Sequence, residues 1–338
     1  MKRKHLIPLT IAALLVLLVA GGFVLVHEQN LPISQPTRIN IPQGSDYAAL
    51  VDTLDSHGCI VSHPAFHALA HIRGLHKHVK AGSYLLQPGS HIIQVIQKIY
   101  NGNQDPIRIT INKHRTPEHL CQFLSTKLTF SPDSLLSLMQ SEEVCDHYGE
   151  TPQTIIGMFL QNTYEIYWTT SPKALLDRMK RESDYFWDKR QLQLQNLGLT
   201  RQQVLTIASI VEEETNANEE KPDIASVYLN RLRIGMPLQA DPTVKYALGD
   251  FTIRRILNSM LTTDSPYNTY RYAGLPPGPI CIPSTSSIDA VLKNKKTDYL
   301  FFCAKEDFSG RHNFAATSVE HSSNAQRFHK ALNNRNIH

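Results

Sequence analysis

A chain of 338 residues is long enough to fold into two domains, each with its own hydrophobic core. Its apolar content of 41% and charged content of 19% are ordinary for a globular protein. The net charge of +4 is small for this length and no dense run of lysine and arginine follows residue 5, so a nucleic-acid-binding surface is not indicated.

An uncharged apolar run begins near the N-terminus. Residues 6–26 contain no charged side chain and would span roughly 31 Å as a helix, at about 1.5 Å per residue. Three cations precede the run and Glu28 follows it, so the positive-inside rule places residues 1–5 in the cytoplasm. A cleaved signal peptide is the competing interpretation, but its apolar region is usually about 7–15 residues long. We therefore predict an uncleaved transmembrane helix over 6–26, followed by an extended linker over 27–36 outside the membrane.

Cysteine and histidine spacing gives no sign of a metal site. The five cysteines are widely separated without a C-x-x-C pair, and the 16 histidines include no H-E-x-x-H motif. A disulfide cannot be assigned from the spacing, and most of the cysteines are expected to be small buried hydrophobes. We predict no metal and no cofactor.

Residues 37–103 have the pattern of a small α+β module. Two strands are predicted, one from alternating apolar and polar residues and one from a segment that follows a turn. Amphipathic segments that begin at serine or proline predict the helices between and after these strands. A unit of about 65 residues with this composition suits binding or spacing better than chemistry. The predicted elements are strands over 38–42 and 80–86 and helices over 45–57, from Pro64, and from the cap Ser90 to Asn101-Gly102.

A larger mixed α/β domain is predicted over 104–338. It opens with an alternating strand over 107–111, and Thr116-Pro117 and Ser131-Pro132 each begin a helix with proline in the favoured first position. A polar and aromatic loop is predicted over 156–164, and a helix over 171–195.

An apolar helix in this domain ends in three consecutive glutamates. Thr200 and Gln203 match a capping box at its start. At about 100° per residue, Glu213 lies about 170° from the apolar face and is predicted to face solvent. Glu212 and Glu214 lie on opposite flanks, about 90° and 70° from that face. Glu214 also stacks on aliphatic residues of the preceding turns, where partial desolvation would raise its pKa and keep it protonated. Periodicity thus leaves two candidates and weakly prefers Glu214.

Three rigid polar segments follow an amphipathic helix over 224–234. Prolines restrict their backbones, while amides, hydroxyls and tyrosines remain available for hydrogen bonding and stacking. That combination suits a sugar, which has many hydroxyls and apolar ring faces. We predict that the segments 239–244, 267–270 and 274–280 form the walls of one groove.

The ordered set of motifs resembles the endolytic murein transglycosylase family, also called YceG-like. The resemblance covers most of the chain, including the N-terminal anchor and the segment 80–84, which is similar to part of a LysM-like subdomain. It implies an α+β fold with a single membrane helix, a LysM-like subdomain over 37–103 and a catalytic domain over 104–338. The matching segments are 207–215, 225–232, 238–244, 267–270 and 274–278.

The resemblance also implies an activity. It identifies Glu214, the second acid of the Glu-x-Glu-Thr motif, as the catalytic residue that cleaves the bond between N-acetylmuramic acid and N-acetylglucosamine and leaves a 1,6-anhydro end. The protein would lie in the bacterial inner membrane, with its catalytic domain on the extracytoplasmic side. It would act on the glycan strands of peptidoglycan, and the resemblance suggests peptidoglycan synthases as its partners. The substrate-binding residues that we predict are Gln239, Asp241, Thr243, Tyr267, Asn268 and Tyr270.

One loop departs from the family pattern. The family usually has Glu-Gly-x-Phe-x-Pro-Asp-Thr-Tyr where this chain has Ile-Gly-Met-Phe-Leu-Gln-Asn-Thr-Tyr over 156–164, without either acid. The end of the glutamate helix and the loops after it are intact, so we expect activity to survive. A hydrolytic muramidase and a non-catalytic cell-wall-binding or scaffold protein are the rival interpretations.

Overall fold

The computed structural model describes residues 30–60 and 63–335 as a mixed α+β protein. The chain divides into two compact units. The first contains the described residues up to Ile109 with 127–129 and 165–170, and the second contains 110–126, 130–164 and the residues from Ser171 onward. No helix within these two described stretches has the length and apolar character needed to cross a membrane. The membrane helix predicted over 6–26, like the tail before it, lies outside them.

The first unit is built on a two-stranded antiparallel sheet. Strand β1 (Thr37–Ile41) pairs with β2 (Gly82–Leu86), so that Ile39 lies opposite Tyr84. Both of these side chains are fully buried in one core with aliphatic residues from the helices. The third helix is capped by His91 rather than by the predicted Ser90. The helices of this unit are α1 (Tyr47–Ser56), α2 (His63–Ile72) and α3 (Ile92–Asn101), with a 3₁₀ turn over Leu75–Lys77.

The remaining elements are mostly helical. Strand β3 (Ile107–Ile111) pairs with β4 (Asn162–Ile166), and β5 (Phe301–Ala304) pairs antiparallel with β6 (His312–Ala315). The helices are α4 (Pro117–Ser125), α5 (Pro132–Gln140), α6 (Glu142–His147), α7 (Pro172–Asp188), α8 (Gln191–Leu197), α9 (Arg201–Glu214), α10 (Lys221–Arg233), α11 (Asp241–Leu248), α12 (Thr285–Leu292) and α13 (Ser318–Asn334).

Several predicted elements differ from the structure. The segment predicted as a loop over 156–164 forms a 3₁₀ turn (Ile155–Met158) and then enters β4. The single helix predicted over 171–195 is broken into α7 and α8, because the chain leaves helical geometry at the N-cap Arg190. The first predicted groove segment is only partly a loop, since α11 begins at Asp241 with Pro242 next to it in the first turn.

Helix α9 is the centre of the second unit. Every residue from Val204 to Val211 is buried, and the helix packs against α10, α11 and α12. The capping box predicted at its start is present, with Thr200 accepting from the Gln203 amide and the Gln203 side chain accepting from Thr200. A helix buried on all sides does not have the solvent-facing stripe of an amphipathic surface helix. All five cysteines are free, and four of them are buried.

Candidate active site

Glu214 is the last residue of α9, and Thr215 after it has an extended conformation. Successive helical residues are rotated by about 100° about the helix axis, so the three glutamate side chains project from this end of the helix in three directions. Each carboxyl meets a different environment.

Glu212 is held by hydroxyls and a buried lysine. The hydroxyls of Ser284 and Ser287 both donate to it at 2.5 Å, and the Lys221 ammonium lies 3.0 Å away with its side chain 5% exposed. Burial opposes ionisation, but these three partners keep the pKa of Glu212 below its ordinary value. Glu212 therefore ties the end of α9 to the first turn of α12.

Glu213 does not face solvent, contrary to the sequence prediction. Its side chain is 12% exposed, and it accepts two hydrogen bonds from Arg115, at 3.0 Å from Nε and 2.9 Å from Nη2. The Lys113 ammonium lies 3.3 Å from the same carboxylate. The helical-wheel argument assumed that the face opposite the apolar stripe was open, whereas a segment about 100 residues earlier in the chain covers it.

Glu214 has a neutral partner instead of a cation. The Tyr228 hydroxyl donates to its Oε1 at 2.6 Å, and the residue as a whole is partly exposed. Burial raises the pKa of Glu214 to about 7; the Tyr228 hydrogen bond opposes the rise, the charge of Asp241 adds to it, and Lys245 opposes it. A carboxylic acid with this pKa can both donate and accept a proton near neutral pH.

Tyr228 is a site residue that sequence reasoning missed. It lies within the amphipathic helix predicted over 224–234, where it is 1% exposed and its ring packs edge-on against Phe302. Burial, with the neighbouring Glu214, raises the pKa of Tyr228 well above its ordinary value, so the phenol stays protonated and acts as a donor. The available signal was the residue type, because a tyrosine stands at a position where an aliphatic residue would pack equally well.

Two predicted groove residues form a polar pair. The Tyr270 hydroxyl donates to Asp241 Oδ1 at 2.6 Å, and the Asp241 side chain is exposed at the first position of α11. Gln239 is exposed as well, and its backbone has φ of +49°, an uncommon conformation for a residue other than glycine. Its amide donates to the Thr269 carbonyl at 3.1 Å, which links two of the predicted groove segments.

Other predicted groove residues support the loops instead. Thr243 and Asn268 are both completely buried. The Thr243 hydroxyl donates to the Ala240 carbonyl at 2.7 Å, and the Asn268 amide bridges two carbonyls of its own loop at 2.8 Å. Contact with a substrate would need surface that neither side chain has. Tyr267 is half-buried against Tyr246, with ring centroids 4.6 Å apart.

The third groove segment is attached to the central helix. The Ile280 amide donates to the Ser209 hydroxyl at 2.9 Å, and Gln161 donates to the Ile282 carbonyl at 2.7 Å. Gly278 has no room for a side chain, because a Cβ there would lie 2.2 Å from the Gln153 carbonyl oxygen. In the loop that departs from the family pattern, Ile156 is 2% exposed, so this chain has a packed aliphatic group where an acid was expected.

The part of the chain that the structure describes contains no group of three or more His, Cys, Asp or Glu side chains placed to hold a metal ion.

Comparison with known proteins identifies the family. The sequence profile of the YceG-like family matches residues 39–327. The chain belongs to this family. The resemblance that was drawn from the motifs is thereby confirmed, and the glutamate-bearing end of α9 and the three groove segments all lie within the YceG-like region.

YceG-like relatives match over nearly the whole chain. An endolytic murein transglycosylase from Bacillus subtilis (strain 168) is 29% identical over 337 residues, covering 94% of this chain and 92% of the relative. An endolytic murein transglycosylase from Streptococcus pneumoniae D39 is 27% identical and covers 94% of this chain but 64% of the relative. A crystal structure of a YceG-like protein from Listeria monocytogenes aligns with a TM-score of 0.57 at 29% identity, over 86% of this chain and 99% of that one.

Proposed function

We propose that this protein is an endolytic murein transglycosylase that cleaves the bond between N-acetylmuramic acid and N-acetylglucosamine within glycan strands. The observation that carries the proposal is the state of Glu214: a partly exposed residue whose carboxyl has a pKa raised to about 7 by burial and one oxygen held by Tyr228. Its relatives named endolytic murein transglycosylase support the reaction class.

In the proposed mechanism Glu214 acts first as an acid. Because Tyr228 donates to Oε1, the acidic proton of Glu214 is carried by the other oxygen, Oε2, which is free to give it to the glycosidic oxygen. The bond from C1 of the muramic acid to that oxygen breaks, and the N-acetylglucosamine residue leaves with the proton as its new hydroxyl. Positive charge develops on C1 and the ring oxygen. Asp241, the first residue of α11 and in electrostatic range of Glu214, stabilises this charge.

Glu214 then acts as a base. Its carboxylate takes the proton from the C6 hydroxyl of the same muramic acid, whose oxygen bonds to C1 and closes the 1,6-anhydro ring. The acid is restored for the next turnover, and no water is consumed. The nucleophile is part of the substrate, so its proximity to C1 is supplied by the covalent connection. A pKa near 7 favours both half-reactions at neutral pH.

A hydrolytic muramidase is the second candidate, because Asp241 is an additional carboxylate whose charge reaches Glu214. The two reactions are separated by mass spectrometry of products formed in ¹⁸O-labelled water. A transglycosylase gives unlabelled anhydro-muramic acid ends, and a hydrolase gives labelled reducing ends. Purified wild type that leaves strands uncut would refute the proposal and favour a cell-wall-binding role. Glu214→Gln that cuts them at the wild-type rate would refute the assignment of Glu214 as the catalytic residue.

We further propose that the apolar run over 6–26 anchors the protein in the bacterial inner membrane, that residues 37–103 form a LysM-like subdomain, and that peptidoglycan synthases are its partners. The absence of charge over 21 positions and the cations before them support the anchor. Fractionation of cells that express the full chain or a chain without residues 6–26 tests this. Only the full chain should sediment with membranes, and protease added to spheroplasts should degrade its catalytic domain.

A further inference from the structure

A small cationic cavity lies beside the glutamate-bearing end of α9. Its volume is about 40 Å³, and its lining is Arg115, Glu213, Pro242, Lys245, Phe251 and Ile280. A water needs roughly 10–15 Å³ of such space, so a group about the size of a carboxylate fits. Two of the lining residues, Glu213 and Lys245, act electrostatically on Glu214, so the cavity is next to the candidate acid.

Arg115 presents a fixed positive charge to this cavity. Its Nε and Nη2 donate to Glu213, and its guanidinium lies 5.0 Å from the centroid of the Phe251 ring. Two of its five N–H groups are used by Glu213, and the others have no acceptor among the residues that the structure describes. The side chain keeps 35% exposure, so these donors are accessible. A guanidinium that is already immobilised loses little entropy when it binds an anion.

Lys245 adds a charge that nothing neutralises by contact. It is partly exposed on α11, and in the described stretches of the chain its ammonium forms no salt bridge. The carboxylate in the lining, Glu213, is already paired with both Arg115 and Lys113. The lining thus carries two cations, Arg115 and Lys245, and one carboxylate, Glu213, that is already paired. The excess positive charge faces a space large enough for an anion.

We propose that this cavity is a subsite for a carboxylate carried by the muramic acid residue at the cleavage point. The inference rests on the transglycosylase function proposed above. The sugar rings of the strand are neutral, so its acidic groups come from the muramic acid substituent: the lactyl carboxylate itself in strands without peptides, or a carboxylate of the attached peptide. An arginine and a lysine together suit that group, since charge-assisted hydrogen bonds to carboxylates are among the stronger ones.

The experiment compares the wild type and Lys245→Met on three kinds of glycan strand. The first carries intact peptides, the second carries free lactyl carboxylates after amidase treatment, and the third carries lactyl groups converted to a neutral methylamide. Lys245→Met is expected to lower kcat/KM about tenfold on carboxylate-bearing strands, mainly through KM, and to change it little on neutral strands. The comparison is made within one variant, so any effect of Lys245 on the acidity of Glu214 cancels. If Lys245→Met loses the preference for peptide-bearing strands over neutral strands, the carboxylate belongs to the peptide. If it loses the preference for strands with free lactyl groups, the carboxylate is that of the lactyl group.

Lys113→Met is the matched control, because Lys113 has the same charge and pairs with Glu213 but does not line the cavity. It should keep the wild-type preference among the three substrates, and Lys245→Arg should keep it as well. An equal loss by Lys245→Met on all three substrates, or a wild type that does not distinguish them, overturns the subsite. If wild-type protein cuts none of the strands, the proposed function fails instead.

Discussion

Glu214→Gln is expected to abolish cleavage and, above neutral pH, to stabilise the fold. Glutamine has the same shape and can accept the Tyr228 hydrogen bond, but it carries no charge. Burial raises the pKa of Glu214 from 4.5 to about 7, so ionising it in the folded protein costs about 3 kcal/mol more than in the unfolded chain. The folded state holds this proton more tightly. The wild type therefore loses stability relative to the variant as pH rises from about 4.5 through about 7.

Urea unfolding of both proteins, each starting at residue 30, measures this at about pH 4 and about pH 8.5. The free energies of unfolding should agree at the lower pH, and the variant should be more stable by about 3 kcal/mol at the higher pH. Glu213→Gln is the control of opposite sign, since it removes the partner of Arg115 and Lys113 and should destabilise the fold at the higher pH. A difference between Glu214→Gln and wild type that does not vary with pH would refute the reasoning.

Three further substitutions test the surroundings of the acid. Tyr228→Phe removes a donor that lowers the pKa of Glu214, so the alkaline limb of the pH–rate profile should move to higher pH and kcat should fall about tenfold; an unmoved profile contradicts this. Gly278→Ala places a methyl group 2.2 Å from a backbone oxygen and should cost about 3 kcal/mol in thermal unfolding. Lys221→Met leaves the carboxylate of Glu212 without its cation and should cost about 3–5 kcal/mol. A melting temperature equal to that of the wild type would contradict either of the last two.

Local signals predicted the helices of the site well. The capping box at Thr200 depends on residues within one turn of each other, so the sequence contains all that determines it. Periodicity also placed Glu214 next to an aliphatic ridge, and the structure finds that carboxyl desolvated. The family pattern was still needed to choose between Glu214 and Glu212.

Contacts between residues far apart in the chain determine the features of the site that the sequence did not predict. Glu213 is covered by Arg115, which is 98 positions away, and no wheel drawn for one helix contains that information. Thr243 and Asn268 belong to segments predicted to form a groove, yet their polar atoms are used to hold the loops. A motif identifies residues that a site requires, but burial determines which of them contact the ligand.

The enclosure of α9 limits where this protein can change its length. Successive helical residues are rotated by about 100°, so one residue inserted or deleted between the cap and the acid would turn Glu214 away from Tyr228 and into another wall of the core. No compensating rotation of the helix is available, because all of Val204–Val211 is packed. Descendants of this chain should therefore keep 14 residues in α9, and insertions should collect in exposed turns such as the one after Gly249.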